Sequence, residues 1–149
     1  MAAKNVPDSG IYIDSTALAK LYVPEPESDL LDRFLSRRTD LMISELSITE
    51  VVSAVSRRKR EGFLDSRQAN KIKEALFADA KSFRRLDLNP TLHRHAEQLL
   101  LTTETIPLRT LDALHIALAV SGGAMHIVTF DVRMADAAAL HGLHVVELR

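Results

Sequence analysis

Apolar and polar positions along the chain fall into two rhythms. Short apolar runs at 10–13, 41–43, 125–130 and 143–146 are rich in β-branched residues and bounded by glycine or polar positions, which predicts buried strands. Leu86-Asp87-Leu88 is a weaker candidate. Between the runs, apolar residues recur every three or four positions over 15–22, 28–37, 45–60, 65–84, 90–103, 109–121 and 132–140, the period of helices. Pro24 and Pro26 close the first helical stretch, Gly62 the third, and Gly122-Gly123 the sixth. Strands separated by helices predict an α/β domain. Its plan is a three-layer α/β/α sandwich around a mostly parallel central sheet, and no linker or repeat divides 1–149. In such sheets function gathers at the carboxyl ends of the strands.

Four acids stand where this plan makes them informative. Asp14 follows the first strand and opens a helix, and Asp131 repeats that arrangement after the run at 125–130. Each can be a plain N-cap, accepting from a backbone N–H one turn on. Neither cap requires the other, though, and two strands of one sheet ending in Asp bring two carboxylates to one edge. Thr129 shares that edge.

Asp112 lies in Leu111-Asp112-Ala113-Leu114-His115-Ile116-Ala117-Leu118-Ala119-Val120, a helix apolar nearly all round and therefore buried. A carboxylate there needs a metal or a partner, and Arg109 and His115 stand one turn away. Glu50 belongs to Ser44-Glu45-Leu46-Ser47-Ile48-Thr49-Glu50-Val51-Val52. Ser47 and Glu50 match a capping box. The apolar period has already resumed at Leu46, however, which puts Glu50 in the second turn of a helix reaching over the same edge.

Carboxylates gathered at one edge repel unless a cation joins them. A hard divalent ion, Mg²⁺ or Mn²⁺, prefers such oxygen ligands. The chemistry that suits the arrangement is phosphodiester hydrolysis, with one metal generating hydroxide and another stabilising the leaving oxygen. The chain has no Cys, which removes thiolate ligands, disulfides and a cysteine nucleophile and points to an intracellular home.

Four segments carry a family resemblance: Ile11-Tyr12-Ile13-Asp14-Ser15-Thr16; Ser44-Glu45-Leu46-Ser47-Ile48-Thr49-Glu50-Val51; Arg109-Thr110-Leu111-Asp112-Ala113-Leu114-His115-Ile116-Ala117; and Val128-Thr129-Phe130-Asp131-Val132-Arg133. In this order and approximate spacing, over about Tyr12 to Val146, the chain resembles PIN-domain proteins, and more narrowly the VapC-type toxins of bacterial and archaeal toxin–antitoxin pairs. The resemblance implies a PIN-like fold and a cytoplasmic, divalent-metal-dependent endoribonuclease. It further implies RNA as substrate, a cognate antitoxin as partner, and a homodimer or toxin–antitoxin hetero-oligomer. The family's four acids map onto Asp14, Glu50, Asp112 and Asp131. Phe130 departs from the polar residue many relatives carry at that position. Asp136, one turn into its helix, reads as a surface acid rather than a fifth ligand.

Charge at first argues against a polyanionic substrate, since 19 Lys and Arg face 20 Asp and Glu, for a net −1. Acids that ligate a cation would leave a more positive face than this balance implies. Arg57-Arg58-Lys59-Arg60 is a compact basic run that RNA phosphates would suit. It reads first as cations decorating a helix C-terminus, because four consecutive residues point around a helix. Few aromatic residues (5%) leave little room for base stacking. His115 reads as a buried structural histidine ahead of a group that orients Asp112 or transfers a proton, and the other five carry no metal-ligand spacing. The stripes Leu30, Leu31, Phe34, Leu35 and Ile72, Leu76, Phe83 read as core. No stretch of about 18 apolar residues exists to span a membrane, and Met1 to Ser9 lacks a leader-like apolar run.

Two other functions fit parts of the pattern. A non-catalytic interaction module would use the acids only as helix caps. A phosphoryl-accepting domain would use an Asp after a strand as nucleophile, but no second Asp follows Asp14 two residues on, and no Lys follows the last strand.

Overall fold

The computed structural model describes residues 10–148. The stretch 1–9, and with it the reading of a missing leader, lies outside them. In chain order the elements are β1 (Ile11–Ile13), α1 (Ser15–Lys20), α2 (Ser28–Leu35), β2 (Leu41–Ser44), α3 (Glu45–Arg60), α4 (Ser66–Ala80), β3 (Arg84–Leu86), α5 (Pro90–Thr102), α6 (Thr110–Ser121), β4 (His126–Val128), α7 (Val132–Leu140) and β5 (His144–Val145). The five strands form one sheet in the order β3-β2-β1-β4-β5, every neighbouring pair parallel. The α/β/α expectation is met.

Strand alternation sorts the core into two layers. Ile11 and Ile13 point to one face and join Leu18, Leu31, Phe34, Ile43, Val51, Leu76 and Val128. Tyr12 points to the other, among Met42, Leu92, Leu99, Ile116, Leu118 and Ile127. The second layer is built on α6, which buries eight consecutive residues from Asp112 to Ala119. Of the two apolar stripes read from the sequence, Leu31, Phe34, Leu35 and Leu76 are buried in the first layer and Ile72 and Phe83 pack against it, while Leu30 lies outside that cluster.

The weak strand lies two residues upstream of its expected place. The chain pairs Arg84, Arg85 and Leu86 with Met42, Ile43 and Ser44, so α4 ends at Ala80 and not at 84. Backbone pairing at a sheet edge decides this register. Leu86 and Leu88 still pack on the core but mark only the end of the segment.

Gly10 is required by its surroundings. Its φ of 63° lies in the left-handed region, and an added Cβ would stand 2.9 Å from the Gly123 carbonyl oxygen. This close approach seats β1 against the turn that leads into β4.

At the same end of the sheet His126 is buried with Nδ1 lacking a partner among the described residues, its ring stacked obliquely on His144. Burial pushes its imidazole below the usual histidine range, with His144 and Arg38 acting in the same direction. A lowered folded pKa contributes stability above the unfolded value of about 6.5, lost as pH falls through the folded value. His126→Leu is therefore expected to melt above the wild type, by a margin that widens from pH 7.5 to pH 5. An equal margin at both pH values would contradict this.

Candidate active site

The strand order reverses at β1, and the carboxyl ends of β1 and β4 flank that switch point, where open parallel sheets bind ligands. Asp14 is the residue after β1 and is 1% exposed. Its Oδ1 accepts from the Ala17 N–H (2.9 Å) and the Thr16 hydroxyl (2.7 Å), and its Oδ2 accepts from the Thr129 hydroxyl. Removing a carboxylate from water costs several kcal/mol, and hydrogen bonds to a charged acceptor each return about 1.5–3 kcal/mol. Burial dominates here, so the Asp14 carboxyl is held above the usual carboxylate range, opposed by Thr129, Thr16, the Ala17 amide and nearby His115.

Asp131 caps α7, its Oδ1 accepting from the N–H groups of Arg133 (2.9 Å) and Met134 (3.3 Å). Asp14 and Asp131 are thus both helix caps and neighbours at one edge, and the two readings of the sequence hold together. Asp112 enters from the first turn of α6, where its Oδ2 accepts from the Arg109 N–H at 3.1 Å. The Arg109 side chain then joins two acids, with Nε 3.5 Å from Asp112 Oδ2 and Nη2 3.2 Å from Asp131 Oδ2.

Glu50 sits in the second turn of α3. Ser44, not Ser47, is the N-cap, its hydroxyl accepting from the Ser47 N–H at 3.0 Å, so the Ser47–Glu50 capping box does not form. Glu50 Oε1 instead lies 2.5 Å from His115 Nε2. A carboxylate only accepts, so Nε2 carries the proton. His115 Nδ1 stands 2.7 Å from the Tyr12 hydroxyl, which also reaches Ser44 Oγ at 2.9 Å. His115 is buried as expected, and it is also the anchor that aims Glu50.

Asp14, Glu50, Asp112 and Asp131 line one cleft of about 480 Å³, together with Arg109, His115 and Thr16. The donor set is hard oxygen on a partly buried wall, which fits Mg²⁺ or Mn²⁺. Among the described residues no group of three such side chains is arranged to hold one ion. Each carboxylate is turned onto a protein partner: the two threonines, His115 or Arg109. Asp136 is exposed on α7 and does not line the cleft.

A second cleft of about 560 Å³ shares Ser15, Thr16, Glu50 and Leu111 with the first and runs on past Lys20, Arg57, Arg58 and Arg60. Three of the four residues of the basic run therefore border it, more than was expected of a helix C-terminus. The signal was present in the spacing: Ser53, Ala54, Arg57 and Arg58 follow Glu50 at helical intervals and share its face. Phe130 forms part of this wall beneath the Lys20 ammonium, 4.6 Å from its ring centre, while its backbone N–H donates to the Thr16 hydroxyl at 2.9 Å. The contributions of Tyr12, Ser44 and Thr16 were not visible in the sequence, since each depends on a partner far along the chain or on a cap.

The PIN-domain family model matches residues 11–140. The chain belongs to the PIN-domain family. This PIN domain is 36% identical over 142 residues to "Ribonuclease VapC46" of Mycobacterium tuberculosis, covering 93% of this chain and 97% of the relative. The VapC-type resemblance carried by the four segments thus extends along nearly the whole chain. Its fold is shared with M. tuberculosis VapC20, described as a sarcin–ricin loop cleaving toxin, at a TM-score of 0.70 and 19% identity, covering 85% of this chain and 94% of that one. It is shared also with a toxin–antitoxin complex from Klebsiella pneumoniae, at a TM-score of 0.64 and 17% identity, covering 92% and 96%.

Proposed function

We propose that this PIN domain is a cytoplasmic, Mg²⁺- or Mn²⁺-dependent endoribonuclease, the toxin of a toxin–antitoxin pair. The observation that carries the reading is the convergence of Asp14, Glu50, Asp112 and Asp131 on one cleft that continues into an arginine-bordered groove. The VapC name of a relative 36% identical over most of both chains supports it. The four carboxylates would hold the cation, with Thr16 and Thr129 fixing Asp14 and His115 fixing Glu50. A bound divalent ion supplies a water of lowered pKa and offsets the charge on the phosphate under attack. Hydrolysis adds the water oxygen to phosphorus and breaks the bond to the leaving oxygen, which departs with a proton. Arg57, Arg58 and Arg60 receive the flanking phosphates, making binding salt-dependent. A cognate antitoxin covers this cleft in the neutralised complex, and the toxin acts as a single domain that pairs with a second copy.

The test is cleavage of bulk RNA by the purified protein. Cleavage is expected in Mn²⁺, is expected to stop in EDTA, and should return when Mn²⁺ is restored. Cleavage that persists in EDTA, or none in Mn²⁺, overturns the reading.

A further inference from the structure

One guanidinium faces four carboxylates in the cleft, and it is the most exposed member of the group. The Arg109 side chain is 60% exposed, whereas the side chains of the acids it joins are only 6% (Asp112) and 27% (Asp131) exposed. An exposed ion pair contributes little and exchanges readily, while the acids beneath it need a counter-charge whether or not a metal is present. Both pairs end on Oδ2; on Asp131 this is the oxygen that the α7 amides leave free, and on Asp112 it also accepts from the Arg109 backbone N–H. Arg109 therefore covers the Asp131 oxygen a cation would use and supplies the counter-charge beside Asp112.

We infer that Arg109 is the resident counter-cation of the metal-free site, yielding Asp112 and Asp131 to a divalent ion and, once released, pairing with a substrate phosphate. The inference rests on those acids being cation ligands, as proposed above. Arg109 acts on metal loading as a positioning residue: it occupies two ligands until a stronger cation replaces it. It makes metal loading and substrate capture successive, since the guanidinium has to leave the two acids before it can pair with a phosphate.

The experiment is calorimetric titration of MnCl₂ into the metal-free wild type, Arg109→Gln and Arg133→Gln. Arg133 lies two residues from Asp131 and makes no ion pair among the described residues, so it reports the effect of net charge alone. Arg109→Gln is expected to bind Mn²⁺ about tenfold more tightly, which corresponds to about 1.4 kcal/mol. Arg133→Gln should stay within about twofold of the wild type. In EDTA, Arg109→Gln should melt below the wild type, because two acids lose their partner. In Mn²⁺ its KM for RNA should rise. A merely structural arginine would weaken both ligands, so tighter metal and looser RNA together are diagnostic. Unchanged or weaker Mn²⁺ binding by Arg109→Gln, or equal tightening in Arg133→Gln, overturns the counter-cation role. An unchanged KM overturns the phosphate role. A wild type that takes up no Mn²⁺ removes the metal reading itself and this inference with it.

Discussion

Asp14→Asn is expected to lose RNA cleavage by about 10³-fold, the scale of removing a fixed charge-stabilising group, and yet to melt above the wild type in EDTA at neutral pH. The two effects share a cause. An amide oxygen still accepts from the Ala17 N–H and the Thr16 hydroxyl, so the cap on α1 survives. The Thr129 hydroxyl, which donates to Oδ2 in the wild type, can turn and accept from the amide. What disappears is a negative charge in a site 1% exposed.

Burial raises the Asp14 carboxyl, and the sign of its linkage follows. A raised folded pKa contributes stability that is full below the unfolded value of about 3.9 and is lost as pH rises through the folded value. Asn escapes that loss. Its thermal advantage should be small near pH 3.5 and grow toward pH 7.5, and Mn²⁺ should reverse it by stabilising only the wild type. Parallel melts in EDTA and in Mn²⁺, with a cleavage assay, measure all of this. Retained cleavage, or a variant less stable than the wild type in EDTA at pH 7.5, would refute the assignment.

His115→Leu is expected to lower cleavage by about 10- to 100-fold, the usual cost of losing the group that orients a metal ligand. The leucine fills similar space in α6 but makes no bond to Glu50. It also deprives the Tyr12 hydroxyl of one partner, although Ser44 and Ser47 remain beside it at 2.9 and 3.4 Å. The stability loss should be about 1–3 kcal/mol. Tyr12→Phe separates the two roles, because it keeps the Glu50–His115 contact while cutting the link behind it. Its cleavage should fall far less than that of His115→Leu. Equal losses in both variants would mean that packing, not the aim of Glu50, governs the site, and full activity in His115→Leu would dismiss the anchor altogether. Denaturant titration and initial rates in Mn²⁺ make the comparison.

Much of this architecture could be read in advance, for identifiable reasons. Parallel strands buried on both faces leave unbroken apolar runs, and β1, β2, β4 and β5 were found by them. The buried helix α6 announces itself because it is apolar all round, and Asp112 is conspicuous against that background. Asp14 and Asp131 were visible because a carboxylate after a strand has few other reasons to recur. β3 was displaced because an edge strand is selected by backbone partners, and Arg84 and Arg85 carry no apolar signal. The chain from Glu50 through His115 to Tyr12 joins residues 65 and 103 positions apart, and no local pattern encodes it. The reach of Arg57 and Arg58 into the groove was written in the Glu50 helical face but was outweighed by their adjacency.

The flanks of the sheet bear on how copies of this chain can meet. One border is β3, whose Arg84 and Arg85 side chains stand exposed, with Arg85 tied to Glu45. The other is β5, only two residues long. A charged border and a very short one are both poor templates for strand addition. Continuous sheets running from one copy into the next are thereby discouraged, and fibrillar assembly with them. A second copy of the chain is steered instead to the helical layers, where Leu101, Val132 and Leu140 present apolar surface.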